Sequence, residues 1–380
     1  MSVSSIPDKV KIRLWGKAAG RCQYDGCNKP LWQDEHTKAE FNSAYIAHII
    51  ADKPKGPRGH ATLSKQLKDD ISNLMLMCDT HHRLIDKEDE IGHSVERLRE
   101  MKLKNEKRIE IATSIDVDKQ SHIIFYGANI GKHNAPMSWQ KSSQAMLPER
   151  FPAESRAIEL SLKNSSFQDS DTNFWRIEKE NLTRLFNLNV KTRLAANEVK
   201  HFSVFALAPI PLLIELGRLL SDIPAADVYQ LHREPPDWKW QKHQDGFKYT
   251  VIEPDNFKGS PVLNLSLSAT INNARISQIL NEPHSIWTMT IKHPNNDFLK
   301  SRRQLQMFRT EFRKLFDRIK AKHGESAVIC LFPAVPVSVA VEIGRVWMPK
   351  ADLPIRLYEQ NRNIGGFAPV LTLENKNKTK

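Results

Sequence analysis

Two stretches of this chain repeat one another. FALAPIPLLIELGR (205–218) aligns without a gap with FPAVPVSVAVEIGR (332–345), so that Phe205, Pro209, Glu215, Gly217 and Arg218 match Phe332, Pro336, Glu342, Gly344 and Arg345. A Y-x3-R segment follows each copy, Tyr229 to Arg233 after the first and Tyr358 to Arg362 after the second. The uncharged runs 202–208 and 327–332 read as strands. The prolines suit the first turn of a helix, which is expected to end near Gly217 or Gly344. Strand, helix, strand is the grammar of an open parallel sheet. Such sheets bind ligands beyond the carboxyl ends of their strands, where helix N-termini attract anions. Two copies side by side would make one composite pocket with pseudo-two-fold character, suited to a cyclic, multiply charged ligand. Two units packed for stability alone fit the repeat equally well.

Charge is unevenly placed. The chain carries a net +12, yet residues 1–118 hold 20 Lys and Arg against 19 Asp and Glu, which leaves +11 beyond them. An excess of base suits an anionic partner, whether nucleic acid or a smaller ligand held by the repeated half. No apolar run is long enough to span a bilayer. The start, MSVSSIPDKVKIRLW, lacks the apolar core of a signal peptide, which predicts a cytoplasmic protein with no membrane partner. Three of the four cysteines, Cys22, Cys27 and Cys78, lie near the N-terminus. Their placement suits a metal in a reducing compartment better than disulfides.

Cys22 and Cys27 bracket a glycine turn, and Cys78 and His81 stand at the start of a predicted helix. Together they offer the four thiolate or imidazole donors that structural zinc takes. His48 follows Tyr45-Ile46-Ala47, the first strand of a predicted ββα unit, and Asn73 precedes a second apolar run, Leu74–Met77. The loop after His48, ADKPKGPRGH, carries Lys53, Lys55 and Arg58 as candidate DNA-phosphate contacts. Residues 87–110 have a helical period, with Ile91, Val95, Leu98, Met101 and Ile111 along one side, a stripe for core or for a subunit interface.

The order His48, Asn73, Cys78-x2-His81-His82 resembles the zinc-bearing HNH endonucleases over roughly the first hundred residues. That resemblance implies an α+β nuclease domain of the ββα-metal type at 1–118, hydrolysing double-stranded DNA. His48 would be the general base and Asn73 an orienting group or metal contact. His82 would be a ligand of the catalytic divalent cation, magnesium by preference. Cys22, Cys27, Cys78 and His81 would hold zinc, and an exchange of His81 with His82 is the alternative. Many members carry an acid or histidine just before the base, where this chain has Ala47. The cation's second ligand is therefore unassigned.

VYQLHREPPDWKWQ (228–241), FPAVPVSVAVEIGRVWMP (332–349) and LYEQNRNIGGF (357–367) resemble the SAVED domain. This implies an α/β domain at 119–380, built of two fused CARF-like Rossmann units that bind a cyclic di- or trinucleotide. Arg233, Arg362, His232 and Lys239 are then candidate phosphate contacts. Tyr229, Tyr358, Trp238 and Trp240 are candidate base-stacking faces, with one of the two alternating tryptophans turned into the core. Arg218 and Arg345 are expected to cap carbonyls, and Cys330 to be a buried small hydrophobe. The two resemblances together imply an effector nuclease of CBASS anti-phage defence in a bacterial cytoplasm. It would be a homo-oligomer, dimeric or larger on activation, cutting duplex DNA once its ligand binds. The alternatives are a zinc module that docks DNA or protein without cutting, and a restriction-type enzyme with no cyclic-nucleotide switch.

Overall fold

Apolar runs of four residues make only short strands, and the N-terminal part of the chain has two of them. The computed structural model describes residues 6–34, 36–130, 137–162, 167–171, 173–222, 224–361 and 365–374. They fall into two compact units, residues 1–116 and residues 117–380. The first contains α1 (Asp8–Lys17), β1 (Tyr45–His48), α2 (Leu63–Leu67), β2 (Leu74–Met77), α3 (Asp79–Arg83) and α4 (Val95–Thr113), with a π-type turn, Leu84–Glu88, directly after α3. β1 and β2 pair antiparallel, Tyr45 opposite Met77 and His48 opposite Leu74. Every residue of β2 is buried and packs with Leu14, Leu31, Ile49, Ile85, Leu98 and Met101 in a small core. α4 begins where the Ser94 hydroxyl accepts from the Arg97 N–H, an N-cap that fixes the start of the helix. Ile91 precedes that cap and is 99% exposed, so it does not belong to the expected stripe.

The second unit opens with β3 (Gln120–Gly127), α5 (Trp139–Met146), β4 (Phe151–Pro152), β5 (Ile158–Glu159), α6 (Phe174–Phe186) and α7 (Thr192–Ala195). The first repeat is β6 (Phe202–Leu207), α8 (Ile210–Leu220) and β7 (Ala226–Val228). β8 (Thr250–Ile252), β9 (Ser260–Ser266), α9 (Asn273–Ser277), β10 (His284–Thr290) and α10 (Arg302–His323) lead to the second, β11 (Ile329–Ala334), α11 (Val337–Val346) and β12 (Ile355–Asn361). β13 (Gly366–Leu373) closes the unit. One sheet has the order β4-β3-β6-β7, all parallel, with β5 also on β3. The other has the order β13-β12-β11-β9-β10-β8 and is antiparallel only at its two edges. Both sheets are Rossmann-like, and strands such as β6, apolar along most of their length, are buried on both faces, as covered parallel sheets require.

The repeat helices run past their glycines. Gly217 and Gly344 lie within α8 and α11 rather than at their ends, which corrects the expectation of a helix stop. A Cβ on Gly217 would fall 1.9 Å from the Val341 carbonyl oxygen, and one on Gly344 would fall 1.9 Å from that of Ile214. Val341 and Ile214 each precede the opposite glycine by one helical turn. The two helices therefore cross on a local two-fold, backbone against backbone.

A buried histidine makes this unit acid-sensitive. His201, just before β6, has Nδ1 2.8 Å from the Ser121 hydroxyl and Nε2 3.7 Å from Asp227. Burial lowers it from the ordinary 6.5 to about 4, against the pull of Asp227. Between those values the unfolded chain binds the proton and the folded chain does not, so stability rises with pH there. The contribution is complete above pH 6.5 and lost as pH falls to about 4. It amounts to about 3 kcal/mol, taking about 1.4 kcal/mol for each tenfold difference in proton affinity. His122, His232 and His323 are lowered too, in each case chiefly by burial. Resistance of the second unit to urea should fall between pH 7 and pH 4.5, and His201→Gln should flatten that dependence. An unchanged slope in the variant would assign the acid sensitivity elsewhere.

Candidate functional site

The carboxyl ends of the parallel strands and the starts of α8 and α11 enclose a cavity of about 870 Å³ in the second unit. Leu207 and Ile210 border it from the first repeat, and Ala334, Val337 and Gln360 from the second. This is the composite pocket expected from the duplicated grammar. Gln230 closes one corner. Its Oε1 accepts from the Ser338 hydroxyl at 2.8 Å and the Ser338 N–H at 3.2 Å, and its Nε2 donates to the Leu231 carbonyl at 2.8 Å. Two arginines line the cavity, the exposed Arg233 and the half-buried Arg275, whose guanidinium lies 5.2 Å from the centre of the Phe367 ring. Neither guanidinium meets a carboxylate among the described residues, so both charges are available to an anion. Burial pushes the wall residue Glu359 up to about 7, against the Gln360 N–H that favours its charged form. Its repulsion of an anion at neutral pH is correspondingly reduced.

His232 is buried in the cavity wall, its ring edge-on to Trp240 at 5.8 Å, and neither ring nitrogen has a hydrogen-bond partner among the described residues. The repeat tyrosines do not present stacking faces. Tyr229 is buried parallel to Phe205 at 4.4 Å, with Trp238 edge-on to the same ring at 5.2 Å. Tyr358 is buried parallel to Phe332 at 4.3 Å, with Phe367 edge-on at 5.2 Å. Tyr229, Tyr358 and Trp238 thus form matched aromatic clusters that brace each sheet; the expected role of the two tyrosines as base platforms is corrected, and Trp238 is the one of the two tryptophans turned into the core. Trp240 is half-buried, Lys239 is exposed and does not border the cavity, and Arg362 lies outside the described residues. Arg275, Asn296, Glu359 and Gln360 border the cavity and were not singled out from sequence. Glu359 and Gln360 stand inside the second Y-x3-R segment, the one signal that pointed near them.

Arg345 acts structurally, though not at its own helix end. It donates to the carbonyls of Ser221, Pro224 and Ala226, beyond α8, and pairs with Glu342 at 2.8 Å. Arg218 pairs with Glu215 instead of a carbonyl. Cys330 is a buried thiol.

In the first unit, Cys22, Cys27, Cys78 and His81 converge, their donor atoms all within 4.8 Å of one another. Cys78 Sγ lies 3.1 Å and Cys22 Sγ 3.7 Å from His81 Nδ1. Donors at about 2.3 Å from one ion stand about 3.8 Å apart in a tetrahedron, so the cluster is compatible with a zinc site. Tyr24 stacks on the His81 ring at 4.1 Å and fixes its plane. Burial pushes the Cys22 thiol up to about 12 and raises Cys27 as well. His82 lies outside the cluster.

The residues singled out by the HNH resemblance differ in their surroundings. Asn73 is buried and wholly engaged with backbone, accepting from the Ile50 N–H at 2.8 Å and donating to the carbonyls of Ile50 at 2.8 Å and Leu67 at 3.2 Å. It ties down the loop after β1, which suits the orienting role of the two roles expected for it. Arg58 is likewise engaged, donating to the carbonyls of Ile49 at 2.8 Å and Ile85 at 2.6 Å and pairing with Asp86 at 2.5 Å. Its expected phosphate contact is thereby corrected. Lys53 and Lys55 are exposed. His48 Nε2 is 2.9 Å from the Lys68 carbonyl. Since a carbonyl only accepts, Nε2 carries a proton, and in the neutral ring Nδ1 is the acceptor. His82 stacks on Tyr45 at 5.0 Å, with Nε2 3.5 Å from Asp86.

No helix among the described residues is long and apolar enough to cross a membrane. No curated protein matches the chain. Among solved structures it is similar to Acinetobacter baumannii Cap4, a SAVED/CARF-domain containing receptor. Identity is 15% to the structure with the cyclic trinucleotide 3'3'3'-cAAA, 13% to that with 2'3'3'-cAAA and 12% to a third structure of this receptor. The TM-scores are 0.40, 0.40 and 0.41, over 82–83% of this chain and 61% of that one, so this chain spans less than two thirds of the length of Cap4. The family described as "SMODS-associated and fused to various effectors sensor domain", SAVED, matches residues 182–373, which include both repeats and every cavity residue named above. With just over half of its length in that match, the chain belongs to the SAVED family.

Proposed function

We propose that this protein is a DNA endonuclease of anti-phage defence, switched on by a cyclic oligonucleotide. SAVED domains are the cyclic-oligonucleotide sensors of CBASS effectors. The observation that carries the proposal is the presence, in one chain, of a SAVED cavity and a β-β-α module whose Cys3His cluster leaves His48 and His82 outside it. Arg233 and Arg275 receive phosphates of the ring. In the first unit the Cys3His cluster holds zinc and fixes the start of α3. His48, proton on Nε2, uses Nδ1 to accept a proton from the attacking water. His82 would hold a divalent cation, magnesium by preference, which would supply charge compensation at the phosphate. Lys53 and Lys55 hold neighbouring phosphates. Ligand binding favours an assembly in which these modules meet duplex DNA as a pair, through the differential affinity that any such switch requires.

Plasmid cleavage in magnesium with a panel of cyclic di- and trinucleotides tests this. Wild-type protein should cut with one ligand class and be silent without it. His48→Ala should cut about 10²- to 10⁴-fold more slowly with unchanged ligand affinity. Arg275→Ala should bind about ten- to a hundredfold more weakly, the loss expected for one charge-assisted contact, and recover cutting as ligand is raised. Constitutive cutting with no ligand binding would leave the restriction-type reading. Ligand binding with no cutting would leave a docking module, which one observation favours: Ala47 has no donor where a cation ligand is expected.

A further inference from the structure

His82 and Asp86 stand one turn apart where α3 passes into the π-type turn, with Nε2 and Oδ2 separated by 3.5 Å. Their side chains are 27% and 23% exposed, so solvent reaches both. The His82 ring is held flat against Tyr45, which lies on the same face of β1 as Ala47. Asp86 is held from behind. Its Oδ1 takes the Arg58 guanidinium at 2.5 Å, and that guanidinium is itself fixed by the Ile49 and Ile85 carbonyls. Oδ2 is therefore presented beside the imidazole. Two ligands of an octahedral magnesium, each at about 2.1 Å, stand about 3 Å apart. The pair needs to close by only about half an ångström to share one ion, and a hard dication prefers oxygen.

We propose that Asp86, together with His82, ligates the cation of the first unit and provides the donor that Ala47 lacks. This rests on the nuclease assignment above. An alternative role for Asp86, bracing Arg58 without touching a cation, would survive replacement by asparagine, whose single amide oxygen can accept from Arg58 while its NH2 takes the place of Oδ2.

The test is Mn²⁺ binding by the full zinc-loaded chain, followed by loss of the free-ion EPR signal, beside ligand-activated plasmid cleavage. Asp86→Asn should weaken Mn²⁺ binding by about ten- to a hundredfold, as should His82→Ala, with zinc content unchanged. Asp79→Asn, which removes an exposed carboxylate from the same helix, should leave it within about twofold, since no ligand is lost. Should Asp86→Asn not fold, Mn²⁺ line broadening in the wild type decides. The Asp86 and His82 side-chain signals must broaden first, and broadening centred elsewhere refutes the site. Wild-type Mn²⁺ affinity in Asp86→Asn, with cleavage intact, overturns Asp86 as a ligand and leaves the nuclease standing. No Mn²⁺ binding and no cleavage by the wild type overturns both.

Discussion

Replacing Cys78 with alanine should release the zinc and unfold residues 1–116 while residues 117–380 keep their fold. The first unit has little else to hold it. Its one sheet is a pair of four-residue strands, and a two-stranded sheet is marginal in water. Cys22 and Cys27 come from the loop after α1, Cys78 from the end of β2 and His81 from α3. One ion held there would join three segments that sequence keeps apart. In zinc-finger peptides a structural zinc contributes about 10–16 kcal/mol to the folded state. Elemental analysis should find about one zinc per chain in the wild type and none in the variant. Hydrogen exchange followed by segment should lose protection only in the first unit. A wild type that is fully folded and zinc-free would end the idea.

Gly344→Ala should destabilise the second unit by at least about 3 kcal/mol, at or above the upper end for overpacking. Alanine ordinarily favours a helix interior by about 1 kcal/mol over glycine, so the sign itself is diagnostic. The new methyl would meet the Ile214 carbonyl oxygen at 1.9 Å. That atom belongs to helix backbone and cannot swing aside, so α8 and α11 must separate. Gly217→Ala meets the mirror-image obstacle at Val341. Because either change spreads the same crossing, the double variant should cost clearly less than the sum of the two. Urea unfolding of the four proteins measures this. A Gly344→Ala protein as stable as the wild type would mean that the helices tolerate separation.

What could be read from the sequence was whatever lies within a few consecutive residues. The spacing Cys22-x4-Cys27 with Cys78-x2-His81 is local, and the structure brings those four donors together. The strand–helix–strand repeat is local too, and its strand ends border the cavity. Misreadings came where a residue's role depends on a distant segment. Glycine near the end of an apolar helix ordinarily marks a stop; here its partner is a carbonyl more than a hundred residues away. The repeated tyrosines were visible, but their stacking on Phe205 and Phe332 depends on neighbouring strands. Arg58 looked like a free loop cation because the carbonyls that engage it are invisible in a one-dimensional chain. Arg275 sits on a helix with no counterpart in the repeat, so nothing drew attention to it.

Gln230 reaches the start of α11 because Ser338 offers it an N–H and a hydroxyl. The position matching Ser338 in α8 is Pro211, which offers neither, and the position matching Gln230 is Glu359, which stays in the cavity wall. A receptor assembled from two identical subunits must carry every substitution twice. Here both halves are encoded separately, so one could become an amide latch and the other an acid of tunable charge. A ring of identical nucleotides entering such a cradle meets unlike neighbours on its two sides.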